Sequence, residues 1–150
     1  MKKIIIGLIG DHNAGKTTAA NFLKKKGFYL ANINSKVEEF AKHLFSQDDI
    51  KREGANILNN IRRRGCSVHK EYWLNLVLIS VPSDKNFIVF DDLSIDEAMS
   101  KRINVCQIYR PEVSRIRLSD IDTIENDGTL KDFAKKIEDL HKKLLCQAKK

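Results

Sequence analysis

The chain is poor in residues that break or staple a fold. Its 150 residues include two prolines, Pro82 and Pro111, and seven glycines. No stretch is rich in Gly, Pro or Ser, which excludes a flexible linker and leaves no compositional seam at which to divide the chain. With 42% hydrophobic and 31% charged residues, a single domain over 1–150 with one substantial core is expected. Three cysteines, Cys66, Cys106 and Cys146, form no C-x-x-C pair, and an odd, unpatterned set argues against a disulfide scaffold. The four histidines, His12, His43, His69 and His141, are not spaced as metal ligands, so free thiols and no structural zinc are expected. Any long apolar run is also missing. "IIIGLI" at 4–9 is far too short to cross a membrane, and it leads straight into a polar motif where a signal peptide would have its cleavage site. The expectation is a cytoplasmic chain without membrane contact.

What the chain has in excess is positive charge, +7 with a pI near 9.3, which calls for an anionic partner. The basic residues fall in small clusters: 24–26, 62–64, Arg110 with Arg115 and Arg117, and the C-terminal lysines. No DNA- or RNA-binding motif accompanies them. A small phosphorylated molecule is therefore the expected partner, and nucleic acid is not.

The motif after the apolar run identifies where such an anion would sit. "GDHNAGKTT" at 10–18 has the spacing G-x-x-x-x-G-K-T. In this pattern backbone N–H groups wrap phosphate oxygens, the lysine reaches the outer phosphates, and the threonine hydroxyl meets Mg²⁺. Gly10 and Gly15 let the backbone approach an anion closely, and the helix that follows directs its unpaired N–H groups to the same place. The flanks agree: 4–9 reads as a strand buried on both faces, and 17–26 carries Ala20, Phe22 and Leu23 in helical register. Gly10, Asp11, His12, Asn13, Ala14, Gly15, Lys16, Thr17 and Thr18 are the expected nucleotide-binding residues, with ATP and Mg²⁺ as cofactors.

Strands and helices alternate along the rest. "GFYLANI" reads as a second strand after Gly27, "SKVEEFAKHLF" as a helix capped by Ser35, and 48–64 and 69–81 as two further helices. "NFIVFDD", "NVCQIYR" and "IDTIEN" read as strands, "IDEAMSK" as a short helix, and a last helix begins after Gly128 with Thr129 as its cap. This order predicts an α/β fold, a three-layer α/β/α sandwich of the P-loop NTPase type with a five-stranded parallel sheet and a short lid at about 110–120.

Two further groups carry chemistry. Asp91 and Asp92 end the third strand, at the carboxyl edge where open α/β sheets bind ligands and where P-loop proteins keep an acid that orients Mg²⁺. Either of the two fits that role. Between the fourth and fifth strands lies "YRPEVSRIRLSD", whose Arg110, Arg115 and Arg117 offer planar, permanently charged forks suited to phosphate. Closing over a migrating phosphoryl group, they would neutralise charge and exclude water. Arg115 is the stronger catalytic candidate, and Arg110 and Arg117 are placed with the substrate.

In their order, the phosphate loop, "INSKVEEFAKHLF", "ILNNIRRRG", "EYWLNLVL", "FIVFDDL", "IYRPE" with "LSD", and "IENDGTLKDF" resemble the P-loop deoxynucleoside monophosphate kinases and relatives such as dephospho-coenzyme A kinases. The resemblance spans nearly the whole chain. It implies transfer of the ATP γ-phosphate to a nucleotide-like acceptor, with Lys16 and Thr17 at the donor site and the helices after the second strand around the acceptor. Family members usually have an acidic residue where Ser35 stands, and many have an arginine where this chain has Ser94.

A sugar hydroxyl must lose a proton as it attacks and benefits from a positioned base, whereas a phosphate monoester is largely ionised at neutral pH. The absence of a carboxylate at Ser35 therefore favours a nucleoside or deoxynucleoside monophosphate as acceptor. Arg62, Arg63 and Arg64 are candidates for its phosphate, Tyr72 and Trp73 for its base, and Ser35 for a polar contact. A hydroxyl acceptor of the dephospho-coenzyme A type, or nucleotide binding without catalysis, are the alternatives. A homodimer is left open.

Overall fold

The β-branched run at 4–9 has no polar alternation, and it forms the central strand of the sheet. The computed structural model describes residues 3–101 and 103–149, so Lys150, one of the C-terminal lysines, lies outside the described residues. In chain order the elements are β1 (Ile4–Ile9), α1 (Lys16–Lys25), β2 (Tyr29–Ala31), α2 (Ile33–Leu44), α3 (Gln47–Val68) and α4 (Tyr72–Ser80). They continue with β3 (Phe87–Phe90), α5 (Ile95–Ser100), β4 (Asn104–Tyr109), β5 (Asp122–Glu125) and α6 (Leu130–Ala148).

The five strands lie in the order β2-β3-β1-β4-β5, all parallel. β1 pairs with β3 through Ile4 and Phe87 and with β4 through Ile6 and Asn104. Period-two alternation splits the core. Ile4, Ile6 and Leu8 pack with Val89, Cys106 and Ile108 under α1 and α6. On the opposite face Ile5, Ile88 and Phe90 pack with Ile33, Val37, Trp73, Leu74 and Ala98, from α2, α4 and α5. The result is a three-layer α/β/α sandwich, as the alternation of elements predicts. α3 forms an outer hairpin partner for α2 and α4 and buries no residue fully; its Leu58 and Ile61 are half-buried.

Element ends follow local chemistry. After α1, the Phe28 N–H bonds to Leu23 O and the Gly27 N–H to Lys24 O, a Schellman closure. Ser94 and Glu97 form a capping box on α5, and Thr129 and Asp132 form another on α6. Thr129 is thus the cap its sequence position predicts. Ser35 is not. The cap lies three residues earlier: α2 starts at Ile33 and its N-cap is Asn32, whose side chain accepts from the Ser35 N–H. Ile33 is fully buried, and a helical start there places it in the core. α3 runs four residues past the expected 64, with a kink at Glu53, and α4 begins at Tyr72 instead of 69. Residues 110–121 form neither helix nor strand. Among the described residues no helix is long and apolar enough to cross a membrane.

Candidate functional site

The loop from β1 into α1 is held in a conformation that ordinary residues avoid. Gly10 has φ 142 and Gly15 φ 109, and Asn13 between them is left-handed at φ 62. A Cβ on Gly10 would lie 2.3 Å from the Ile108 carbonyl oxygen, so only glycine lets the loop cross β4 here. The Asn126 side chain braces the loop from the β5–α6 connection by donating to Ala14 O at 2.9 Å. Lys16 Nζ folds back over the loop, donating to Gly10 O at 2.7 Å and to Asp11 O at 2.9 Å. Burial lowers the Lys16 pKa, opposed by the nearby Asp91 and Asp11. An anion in the loop would favour the charged form further.

The two aspartates divide their work. Thr17 Oγ1 donates to Asp91 Oδ2 at 2.9 Å, and Asn32 Nδ2 donates to Asp91 Oδ1 at 3.3 Å. Asp91 therefore stands at the loop between β1 and α1. Asp92 turns the other way, its Oδ2 accepting from the Asn34 N–H at 2.7 Å at the start of α2, where a carboxylate complements the helix dipole. Among the described residues its buried Oδ1 has no hydrogen-bond partner. Burial raises the Asp92 pKa, against the lowering effect of the Asn34 and Ile33 amides and of Arg62. Asp91 is the better placed of the pair to act with Thr17.

These groups line one open cleft of about 1270 Å³. His12, Asn13, Lys16, Thr17 and Thr18 form its floor, Asn32, Asn34, Asp91 and Asp92 one wall, and Arg110, Pro111, Glu112, Val113 and residues 126–128 the other. Of the three lid arginines only Arg110 reaches it. Arg115 has an exposed side chain, and its backbone N–H donates to Asp11 Oδ2 at 2.9 Å. Arg117 pairs with Glu125 and lies over the Tyr109 ring.

The expected acceptor residues are not gathered at the cleft. Arg62 sits one side chain behind its wall, donating to Asn34 Oδ1 at 2.7 Å, Asp92 O at 2.8 Å and Glu97 Oε2 at 3.0 Å. Arg63 bonds to Asn60 on the exposed side of α3, and Arg64 is exposed. Trp73 is core: it is 1% exposed, and its indole N–H donates to Arg62 O at 2.9 Å. A Cβ on Gly65 would lie 2.3 Å from that indole nitrogen, so α3 can lie on the ring only because Gly65 has none. Tyr72 packs edge-on against Trp73. The Trp73 ring is closed to a base, and the half-buried Tyr72 does not line the cleft. Ser35 opens on a separate small groove beside Tyr29 and Glu39.

Sequence reasoning passed over Asn32, Asn34, Asn126, Glu97 and Gln107. Asn126 lies within the quoted "IENDGTLKDF", and its position after a strand is the one signal that pointed to it. Gln107 is 4% exposed in the middle of β4; its Nε2 donates to Ile116 O at 2.8 Å and its Oε1 accepts from the Leu118 N–H at 2.9 Å. A polar side chain in an apolar strand was the available sign.

No protein-family model and no curated protein matches this chain. Among solved structures it is similar to TT1252 from Thermus thermophilus, at 16% identity over 98% of each chain with a TM-score of 0.60. That likeness extends over the full sandwich and concerns the fold alone.

Proposed function

We propose that the protein is a P-loop phosphotransferase that moves the γ-phosphate of ATP to a nucleotide-like acceptor, a nucleoside or deoxynucleoside monophosphate. The observation that supports this reading is the phosphate loop itself. Its left-handed Asn13, its two glycines at positive φ, and a lysine ammonium resting on the loop's own carbonyl oxygens make a cradle that phosphate oxygens would fill. Thr17 and Asp91 supply hard oxygen donors suited to Mg²⁺, which is held by one or two protein oxygens together with substrate phosphates. Mg²⁺ bound there would neutralise charge on the phosphates. Arg110 would meet charge on the migrating group from the opposite wall, and the cleft is roomy for one nucleotide, against typical ligand pockets of about 300–1,000 Å³.

A second reading has its own support. The wall nearest α2 presents Asn32, Asn34, Asp91 and Asp92, and Arg62 behind it is already engaged by three acceptors. A neutral hydroxyl acceptor suits such a wall better than a dianionic monophosphate does. ADP release from ATP·Mg²⁺ should be followed across nucleoside and deoxynucleoside monophosphates plus dephospho-coenzyme A. Turnover with a monophosphate upholds the first reading and turnover with dephospho-coenzyme A alone the second. ATP binding with no acceptor-dependent ADP release leaves a nucleotide-binding protein without kinase activity.

A further inference from the structure

Asp11 touches two parts of the site at once. Its carbonyl oxygen accepts from Lys16 Nζ at 2.9 Å and from the Ala14 N–H at 3.2 Å, while its carboxylate accepts from the Arg115 N–H at 2.9 Å. The arginine-bearing segment is otherwise tethered at its two ends. At the near end the Val113 and Ser114 N–H groups fold back onto Arg110 O, and the Arg110 N–H donates to Ser114 Oγ. At the far end the buried Gln107 side chain holds Ile116 O and the Leu118 N–H in the manner of a missing strand. Between these ties, the Asp11 carboxylate supplies the hydrogen bond that, among the described residues, joins residues 110–115 to the loop after β1.

Resting on the nucleotide-binding reading, we infer that Asp11 is a positioning residue that couples the state of Lys16 to the placement of the Arg110–Arg115 segment. Without phosphate, the ammonium is spent on Gly10 O and Asp11 O. Phosphate oxygens compete for it, and charge-assisted bonds to them are stronger than bonds to neutral carbonyls. Once the ammonium turns to phosphate, the Asp11 peptide loses one of its ties, and its carboxylate carries the change to the Arg115 amide. Arg110, on the same short turn, then shifts relative to the cleft. Asp11 itself contacts no reacting atom.

Amide hydrogen exchange on the full chain tests the coupling, with a non-hydrolysable ATP analogue plus Mg²⁺, and inorganic tripolyphosphate as the phosphate-only probe. Bound analogue should change Arg115 amide protection about tenfold, the scale of one charge-assisted hydrogen bond. Asp11→Ala should abolish that response and speed Arg115 exchange in the free protein. Asp11→Asn, which keeps an accepting oxygen, should retain it. Tripolyphosphate should act like the analogue. Calorimetry showing bound analogue while wild-type Arg115 exchange stays unchanged overturns the coupling alone, as does an Asp11→Ala variant that responds like wild type. Absence of any binding overturns the nucleotide reading and the coupling with it. The wild-type measurement decides the matter even where Asp11→Ala does not fold.

Discussion

Thr17 Oγ1 donates to Asp91 Oδ2 at 2.9 Å although the two residues are 74 positions apart. Parallel pairing of β1 with β3 in register brings the loop after one strand to the end of the other. Asp91 lies beside the β1–α1 loop and Asp92 at the start of α2, so the two should differ on mutation. Asp91→Asn should lower phosphotransfer and raise the Mg²⁺ concentration needed for half-maximal rate, while Asp92→Asn leaves the metal requirement near wild type. Rates across a Mg²⁺ titration check this, and equal metal dependence in both variants would count against the pairing of Thr17 with Asp91.

Lys16→Ala should abolish phosphotransfer without unfolding the chain. Among the described residues the side chain bonds only to loop carbonyls, and it belongs to neither core cluster. Activity and thermal melting measured on the same preparation separate the two effects.

Arg110 is the one lid arginine that lines the cleft. An interaction made mainly in the transition state lowers kcat with little change in KM. Arg110→Ala should therefore lose about 10²-fold in kcat, about 2.7 kcal/mol. The sequence favours Arg115 for this part, but its exposed side chain points the larger loss to Arg110, and Arg117→Ala, which removes a surface pair with Glu125, should cost least. Steady-state kinetics at two salt concentrations distinguish a site contact from screened surface charge.

Removing Arg62 should destabilise the fold more than any other arginine substitution. Glu97 would be left buried and unpaired, its side chain 5% exposed, and the loss of one partner from a buried pair costs about 3–5 kcal/mol; Arg62 itself is 22% exposed, which places the expectation at the lower end. Denaturant unfolding of Arg62→Ala checks the size. Stability equal to wild type would mean the network does not hold α3 to the β3 end.

Cys106 lies in the core and burial pushes its thiol up to about 12 from an ordinary value near 9. The folded state keeps this proton where the unfolded state gives it up. Stability should therefore fall between about pH 9 and pH 12, by up to about 1.4 kcal/mol per pH unit. Cys106→Ala should flatten that slope in unfolding curves measured across pH. A thiol reagent should label exposed Cys146 at once and Cys106 only on unfolding.

The sandwich was legible because its signals are local. A two-sided apolar strand, a glycine-spaced loop and the helical stripe Leu130, Phe133, Ile137, Leu140 and Leu144 each report their structure through nearest neighbours, although Leu130, in the first turn, stays exposed. The conformation of the 10–18 loop belongs to the same class, since residue type within nine positions sets it. Those features the amino-acid sequence by itself determined. What the tertiary structure alone decided is the direction of each long side chain. "RRR" at 62–64 offers three equivalent guanidinium groups, yet helix rotation sends Arg62 inward to Glu97 and leaves Arg63 and Arg64 outside. Trp73 is an aromatic candidate in the sequence and a core residue in the fold because Gly65 opens a seat for it under α3. Asp91 and Asp92 are neighbours that point apart, since successive residues leaving a strand face opposite sides. The Asn32 side chain that caps α2 also meets Asp91 at the end of β3, and the Gln107 clamp closes on backbone groups of Ile116 and Leu118 in the β4–β5 connection. Such choices follow from which groups meet after the layers pack, where leaving a polar atom unpaired costs more than any local preference.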